Sequence, residues 1–255
     1  MAVHEVAEEG FGREAATYER VRPSYPADAV AWLADNLALG PGRTVVDVAA
    51  GTGKFTRLLV PLGATLLAAE PVEGMRQSFV SAVPGVPIVA AVAEALPIAG
   101  VSVDAVTVAQ AFHWFDAGRT FGEFARVLRR GGRVGLIWNA RDRSSDWVNE
   151  VWSIMDRVEK RAPWRDHENW RDSALGERAG FGPIYTETFR HEQPITPEGV
   201  VERIASVSHV AVLPPAEHER VLDEVRAVLR HHPDTRGRDE LRIPYRVDAY
   251  WCERR

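Results

Sequence analysis

Residues 44–53, Thr-Val-Val-Asp-Val-Ala-Ala-Gly-Thr-Gly, decide the fold together with Glu70, which closes the next apolar run, Ala64-Thr-Leu-Leu-Ala-Ala-Glu. The apolar run into Asp47 reads as a buried parallel strand. Ala49, Ala50, Gly51 and Gly53, around Thr52, make a turn so poor in side chains that a ligand can lie against bare backbone. Phe55, Leu58, Leu59 and Leu62 then repeat at helical spacing. A carboxylate about 20 residues past the glycines is placed to accept both hydroxyls of a ribose. Strand, turn, helix and carboxylate in this order describe the nucleoside-binding half of a doubly wound α/β fold.

The same residues fail two phosphate-binding patterns. A dinucleotide fingerprint, G-x-G-x-x-G, needs its third glycine where Thr56 stands. A P-loop, G-x-x-x-x-G-K-[ST], meets Val48 in place of its first glycine and Phe55 in place of the Ser/Thr. The turn is neither.

Outward from this stretch, strands are expected at 44–48, 65–69, 86–91, 103–109 and 133–138, and a helix at 26–38 stopped by Gly40-Pro41-Gly42. Phe121, Phe124, Val127 and Leu128 mark another helix. Alternation of this kind implies parallel β/α/β units, whose ligands bind at the carboxyl ends of the strands. Beyond residue 140 the rhythm changes. Helices are expected at 146–159 and 217–230, and the last two strands at 184–191 and 243–251. The expected architecture is a seven-stranded, mostly parallel sheet in one domain over 1–255. Residues 1–26 would form a cofactor-covering segment, and 140–175 and 194–240 a helical substrate-covering cap.

Composition narrows the function. The 255 residues are 45% hydrophobic and 26% charged, with net charge −5, ordinary for a globular protein. Charge is even along the chain: 12 basic against 14 acidic residues in 1–139, and 19 against 22 in 140–255. No basic patch marks a nucleic-acid partner. A single Cys252 excludes an internal disulfide and a Cys-rich metal site, and no metal site is expected elsewhere. The acidic N-terminus lacks an apolar core for a signal peptide. Pro84, Gly85 and Pro87 break the one apolar stretch near membrane length, so a cytoplasmic protein with no membrane partner is expected. Oligomeric state is not legible.

Four segments now carry a resemblance: Arg22-Pro-Ser-Tyr-Pro26, Asp47 to Gly53, Ala93-Glu-Ala-Leu-Pro97, and Gln110-Ala-Phe-His-Trp-Phe115. Through residue 142 the chain resembles class I S-adenosylmethionine (SAM)-dependent methyltransferases of the trans-aconitate methyltransferase-like group; beyond it the likeness is looser. The resemblance implies SAM as cofactor and S-adenosylhomocysteine as product. It implies that Asp47, Ala49, Gly51, Thr52 and Gly53 form the turn against the methionyl part. Glu70 would hold the ribose, Pro71 and Val72 or Met75 would flank the adenine, and Ala93 N–H with Glu94 would meet its edge. Gln110 would line the wall nearest the methyl group, and Tyr18, Arg22 and Tyr25 would belong to a segment folding over the cofactor.

Methyl transfer from a sulfonium is an in-line displacement that depends mainly on alignment in a dry pocket. His113 is the one titratable group in its motif and so the candidate base, or it merely shapes the wall. Trp114 could face the sulfonium or simply pack. Trp138, Trp147, Trp152, Trp164 and Trp170 cluster after the fifth strand, an aromatic lid in one reading. Trp147 and Trp152 fit the lid's own core better. Arg141 and Arg143 could clamp a substrate carboxylate or form surface ion pairs with Asp142 and Asp146. His231-His232 reads as a solvated helix end. The leading expectation is methyl transfer to an oxygen, carboxylate or hydroxyl, of a small molecule. The alternatives are a SAM-fold protein that binds the nucleoside without transfer, and a nicotinamide-dependent oxidoreductase. The oxidoreductase is disfavoured by Thr56 and by the lack of a Tyr-x-x-x-Lys pair.

Overall fold

The computed structural model describes residues 20–159 and 180–255. Seven strands form one sheet: β1 (Thr44–Val48), β2 (Thr65–Ala69), β3 (Ile88–Val89), β4 (Val103–Ala109), β5 (Leu128–Arg141), β6 (Tyr185–Ile195) and β7 (Leu241–Glu253). Their order is β3-β2-β1-β4-β5-β7-β6. The pairs β1/β2, β1/β4, β2/β3 and β4/β5 are parallel. β7 runs antiparallel to β6, since Tyr185 stacks on Trp251, Thr188 Oγ1 donates to Asp248 and His191 stacks on Tyr245. From β1 the chain winds outward through β2 and β3, then returns to β4 on the other side of β1. That reversal opens a crevice beyond the carboxyl ends of β1 and β4.

The pleat sends alternate residues to opposite faces. Val46, Val48, Val106 and Val108 join one core with Phe121, Phe124 and Val127 of α4 (Ala117–Val127). Val45 and Ala105 join another with Ala29, Val30 and Leu33 of α1 (Ala27–Asn36). These two cores are therefore built on apolar alternation that is visible in the sequence.

Several boundaries differ from expectation. The helix after the glycine turn is only α2 (Thr56–Leu59), continued as a 3-10 turn over Val60–Leu62 and ended by Gly63 in the left-handed region. β3 spans two residues rather than 86–91, since Pro84, Gly85 and Pro87 crowd its start. β5 begins five residues early because Leu128 pairs with Val103 of β4, and Gly131 N donates to Arg254 O and Arg254 N to Gly132 O. β6 and β7 run a few residues longer than 184–191 and 243–251. The remaining helices are α3 (Glu73–Ala82), α5 (Asp146–Glu159), α6 (Pro197–Ala205), α7 (Ser208–Ala211) and α8 (Pro215–His231). The span of α5 is the one expected.

The described chain falls into two compact units. The larger holds 25–139, 180–189 and 247–255; the smaller holds 20–24, 140–159 and 190–246. The smaller has its own core, in which Trp147 and Trp152 of α5 pack with Ile204 of α6, Val225 of α8 and Tyr245 of β7. Among the described residues no helix is long and apolar enough to cross a membrane.

Candidate nucleoside site

The larger unit gathers the glycine turn after β1, Glu70 after β2 and Gln110 after β4 at one edge of the sheet. Register makes this inevitable: Val48 pairs with Ala69 on one side and with Val108 on the other. Each strand therefore ends beside its neighbour.

Glu70 is buried, with 5% of its surface exposed. Its Oε2 accepts from Gly51 N at 3.0 Å and its Oε1 from Val72 N at 2.9 Å. One carboxylate thus clamps the glycine turn to the start of α3. Each oxygen has a second lone-pair direction, so two hydroxyl donors can still be accepted. Burial pushes the Glu70 carboxyl above its ordinary range, against the pull of the Val72 and Gly51 N–H groups and the Arg76 charge, with Asp47 pushing the same way as burial. Arg76 Nη1 donates to Glu70 O at 2.9 Å and Pro71 O at 2.6 Å, fixing the backbone beneath the carboxylate. Val72 and Met75 are buried and Pro71 half-buried.

Asp47 points away from solvent, 1% exposed, between two hydroxyls. Thr56 Oγ1 donates to its Oδ2 at 2.5 Å and Thr107 Oγ1 to its Oδ1 at 2.8 Å. It ties β1, β4 and α2 together from below the turn. Burial raises its pKa to about 6, the two hydroxyls opposing.

The turn itself needs unusual backbone. Ala49, Gly51 and Gly53 lie at φ of 53°, 58° and 84°. A Cβ on Gly53 would stand 2.3 Å from Val83 Cγ2 and 2.8 Å from Phe79 Cδ2. A Cβ on Gly51 would meet nothing within 4 Å. Gly53 is therefore a packing glycine, whereas Gly51 faces open space beside the Glu70 carboxylate. Thr52 is buried at 1% exposure.

Other expected residues take definite positions. Ala93 is buried, and Glu94 Oε1 accepts from Asp116 N at 2.9 Å at the start of α4. Gln110 adopts φ 63° and donates its N–H to Ile137 O at 2.9 Å. His113 and Trp114 sit half-buried in a 3-10 turn with ring centroids 5.0 Å apart. Trp138 packs edge-on against Tyr250 at 5.8 Å. Arg22 lies in the smaller unit, where its Nη2 donates to Ser206 O at 2.8 Å. Arg143 forms an ion pair, Nη2 lying 2.7 Å from both Asp156 oxygens, rather than a free clamp. His231 Nδ1 lies 2.8 Å from Ala227 O on its own helix. Tyr18, Trp164, Trp170 and the side chain of Arg141 lie outside the described residues.

Sequence reasoning missed Thr107 and Arg76. Thr107 had a signal, a lone hydroxyl inside the apolar run of β4. Arg76 had none, because its carbonyl partners are fixed only once the β2–α3 turn forms. Among the described residues no group of three or more His, Cys, Asp or Glu could hold a metal ion.

Residues 46–136 match a family described as a methyltransferase domain. An uncharacterised methyltransferase of Mycobacterium tuberculosis is 38% identical over 239 residues, covering 92% of this chain and 91% of that protein. A structure described as a candidate type II methyltransferase from Anaeromyxobacter dehalogenans superposes with TM-score 0.64 at 24% identity, covering 91% of this chain and 96% of that one. A phosphoethanolamine N-methyltransferase of Haemonchus contortus, solved with S-adenosylhomocysteine, superposes with TM-score 0.62 at 15% identity, covering all of this chain and 60% of that one.

Proposed function

Because this chain belongs to the class I SAM-dependent methyltransferases, we propose that its glycine turn and Glu70 hold SAM for methyl transfer to a small-molecule acceptor. The observation that carries this reading is the Glu70 carboxylate, buried against Gly51 N at 3.0 Å with acceptor capacity to spare, beside open space over Gly51. Asp47 and Glu70, both buried, make a poor setting for a pyrophosphate and a good one for a cationic sulfonium. The four-residue α2 gives a phosphate no long helix N-terminus to sit on. Thr56, locked onto Asp47, fills the place of a third glycine.

The cofactor supplies an activated methyl group on sulfur. The protein supplies position: Glu70 fixes the ribose, Gly51 admits the chain close to backbone, Val72 and Met75 wall the base, and Gln110 borders the reacting end. Alignment of this kind is worth up to ~7–11 kcal/mol. In this reading the acceptor atom is an oxygen. His113, half-buried after β4, takes the proton if that oxygen is a hydroxyl and is not needed if it is a carboxylate. Trp114, Trp138 and Arg141, with segments 140–175 and 194–240, carry acceptor specificity.

The test is calorimetric titration with S-adenosylhomocysteine, with NADH as control. Micromolar binding of the first alone is expected. Glu70→Gln keeps the shape and one acceptor oxygen but loses the charge, and should weaken binding by about 1.5–3 kcal/mol, roughly tenfold to a hundredfold. Unchanged affinity in a folded variant would remove Glu70 from the site, and failure of the wild type to bind would remove the site altogether.

A further inference from the structure

Among the described residues, Arg203 is a buried cation that meets no anion. It lies on α6 three residues after Val200, so it shares that residue's inward face. Only 7% of it is exposed, and neither Nε nor Nη1 has a hydrogen-bond partner. The adjacent carboxylate, Glu202, is held by Arg20 at 2.8 Å instead. The guanidinium carbon stands 5.8 Å from the centre of the Trp152 ring. Attraction to an aromatic face recovers only part of what a guanidinium loses on leaving water.

This group lines a crevice wholly within the smaller unit, with Trp147, Val151, Trp152, Val200 and Ile243. These side chains close together so tightly that the crevice has no room for a water molecule. Solvent therefore does not replace the missing anion. Tyr245, two residues along β7 on the same face as Ile243, also buries a hydroxyl that meets no partner among the described residues.

We propose that Arg203 anchors the carboxylate of a small organic acid whose flat, apolar body packs against Trp147 and Trp152. The carboxylate supplies the paired acceptors that a planar guanidinium takes best, and the lining takes the ring. The Trp side chains shift to admit it. The same chemistry has two sources, the methyl acceptor itself or a regulatory acid; only the first rests on the proposed function.

The experiment titrates the full chain with benzoate, phenylacetate and cinnamate and with their amides, in wild type, Arg203→Met and Arg203→Lys, following heat and melting temperature. At least one acid should bind ten times or more tighter than its amide. Arg203→Met should lose that preference while melting no lower than wild type without ligand, since it removes an unpaired buried charge. Arg203→Lys should keep part of the preference. Acids and amides binding alike, no acid binding at millimolar concentration, or a lower melting point in Arg203→Met restored in Arg203→Lys would each overturn the proposal. Label transferred from SAM to the bound acid marks an acceptor, and binding without transfer an effector; both sustain the site. Parallel titration with S-adenosylhomocysteine separates the two ideas. A wild type that binds the acid but not S-adenosylhomocysteine would sink the methyltransferase reading and leave this site standing.

Discussion

At the scale of single residues, two glycines two positions apart do different work. Both sit at positive φ, which costs an L-residue roughly 1–2 kcal/mol. Gly53 also packs against Val83 and Phe79, so alanine there must move the start of the loop after α3. Gly53→Ala should destabilise the protein by about 2–4 kcal/mol, strain and overpacking together. Gly51→Ala should cost only the backbone term of about 1–2 kcal/mol, yet place a methyl group where the ligand would lie. Melting curves and S-adenosylhomocysteine titrations on both variants check this. If Gly51→Ala bound the nucleoside like wild type, the open space over Gly51 would not be the cofactor's. Sequence alone marks both positions as glycine and cannot separate them, because the distinction rests on Phe79 and Val83, some 26–30 residues away.

At the scale of elements, what was legible followed the range of the forces involved. β1, β2 and β4 were readable to the residue because apolar runs buried on both faces end abruptly at Asp47's turn, at Glu70 and at Gln110. The fifth strand was not, since Leu128–Gly132 joins it through pairing of Leu128 with Val103 across an irregular register and of Gly131 and Gly132 with Arg254, more than 120 residues on. α6 went unread despite a local signature: Thr196 caps it, accepting from Gly199 N at 3.0 Å, with Pro197 in the first turn. Its Arg203 interrupts the apolar pattern that would have announced it. α4 shows a cap that acts through two residues. Asp116 Oδ1 accepts from Arg119 N at 3.1 Å, while Glu94 Oε1 takes the Asp116 N–H. Asp116→Ala should cost about 0.5–2 kcal/mol, measured by denaturant midpoint with an unchanged slope. A loss near zero would mean that Glu94 alone holds the helix start.

At the scale of the whole molecule, the acids of the nucleoside site set how stability answers to pH. Burial lifts Asp47 to a pKa of about 6 from the ordinary 3.8 of an aspartate. The folded state therefore holds the proton more tightly than the unfolded chain. The stability this contributes is complete below the unfolded pKa and is lost as pH rises through about 6. Glu70, raised by burial as well, leans the same way. Glu123, held low by its hydrogen bond to Arg126, and Asp142, held low by the Ser144 N–H, lean the other way. The raw pH profile mixes these with other shifted carboxylates such as Asp104, so the informative quantity is the difference between wild type and Asp47→Asn. Asparagine keeps the shape, and both threonine hydroxyls can still pair with it, but the proton no longer comes and goes. Between pH 7.5 and pH 4 that difference should move by about 2–3 kcal/mol in favour of the wild type. At pH 7.5 the variant should be at least as stable, since it carries no buried charge. Chemical denaturation at the two pH values decides the matter. A difference independent of pH would mean that Asp47 stays ionised throughout, held by Thr56 and Thr107 more strongly than burial opposes it, and the site would then carry a permanent negative charge beneath its glycine turn.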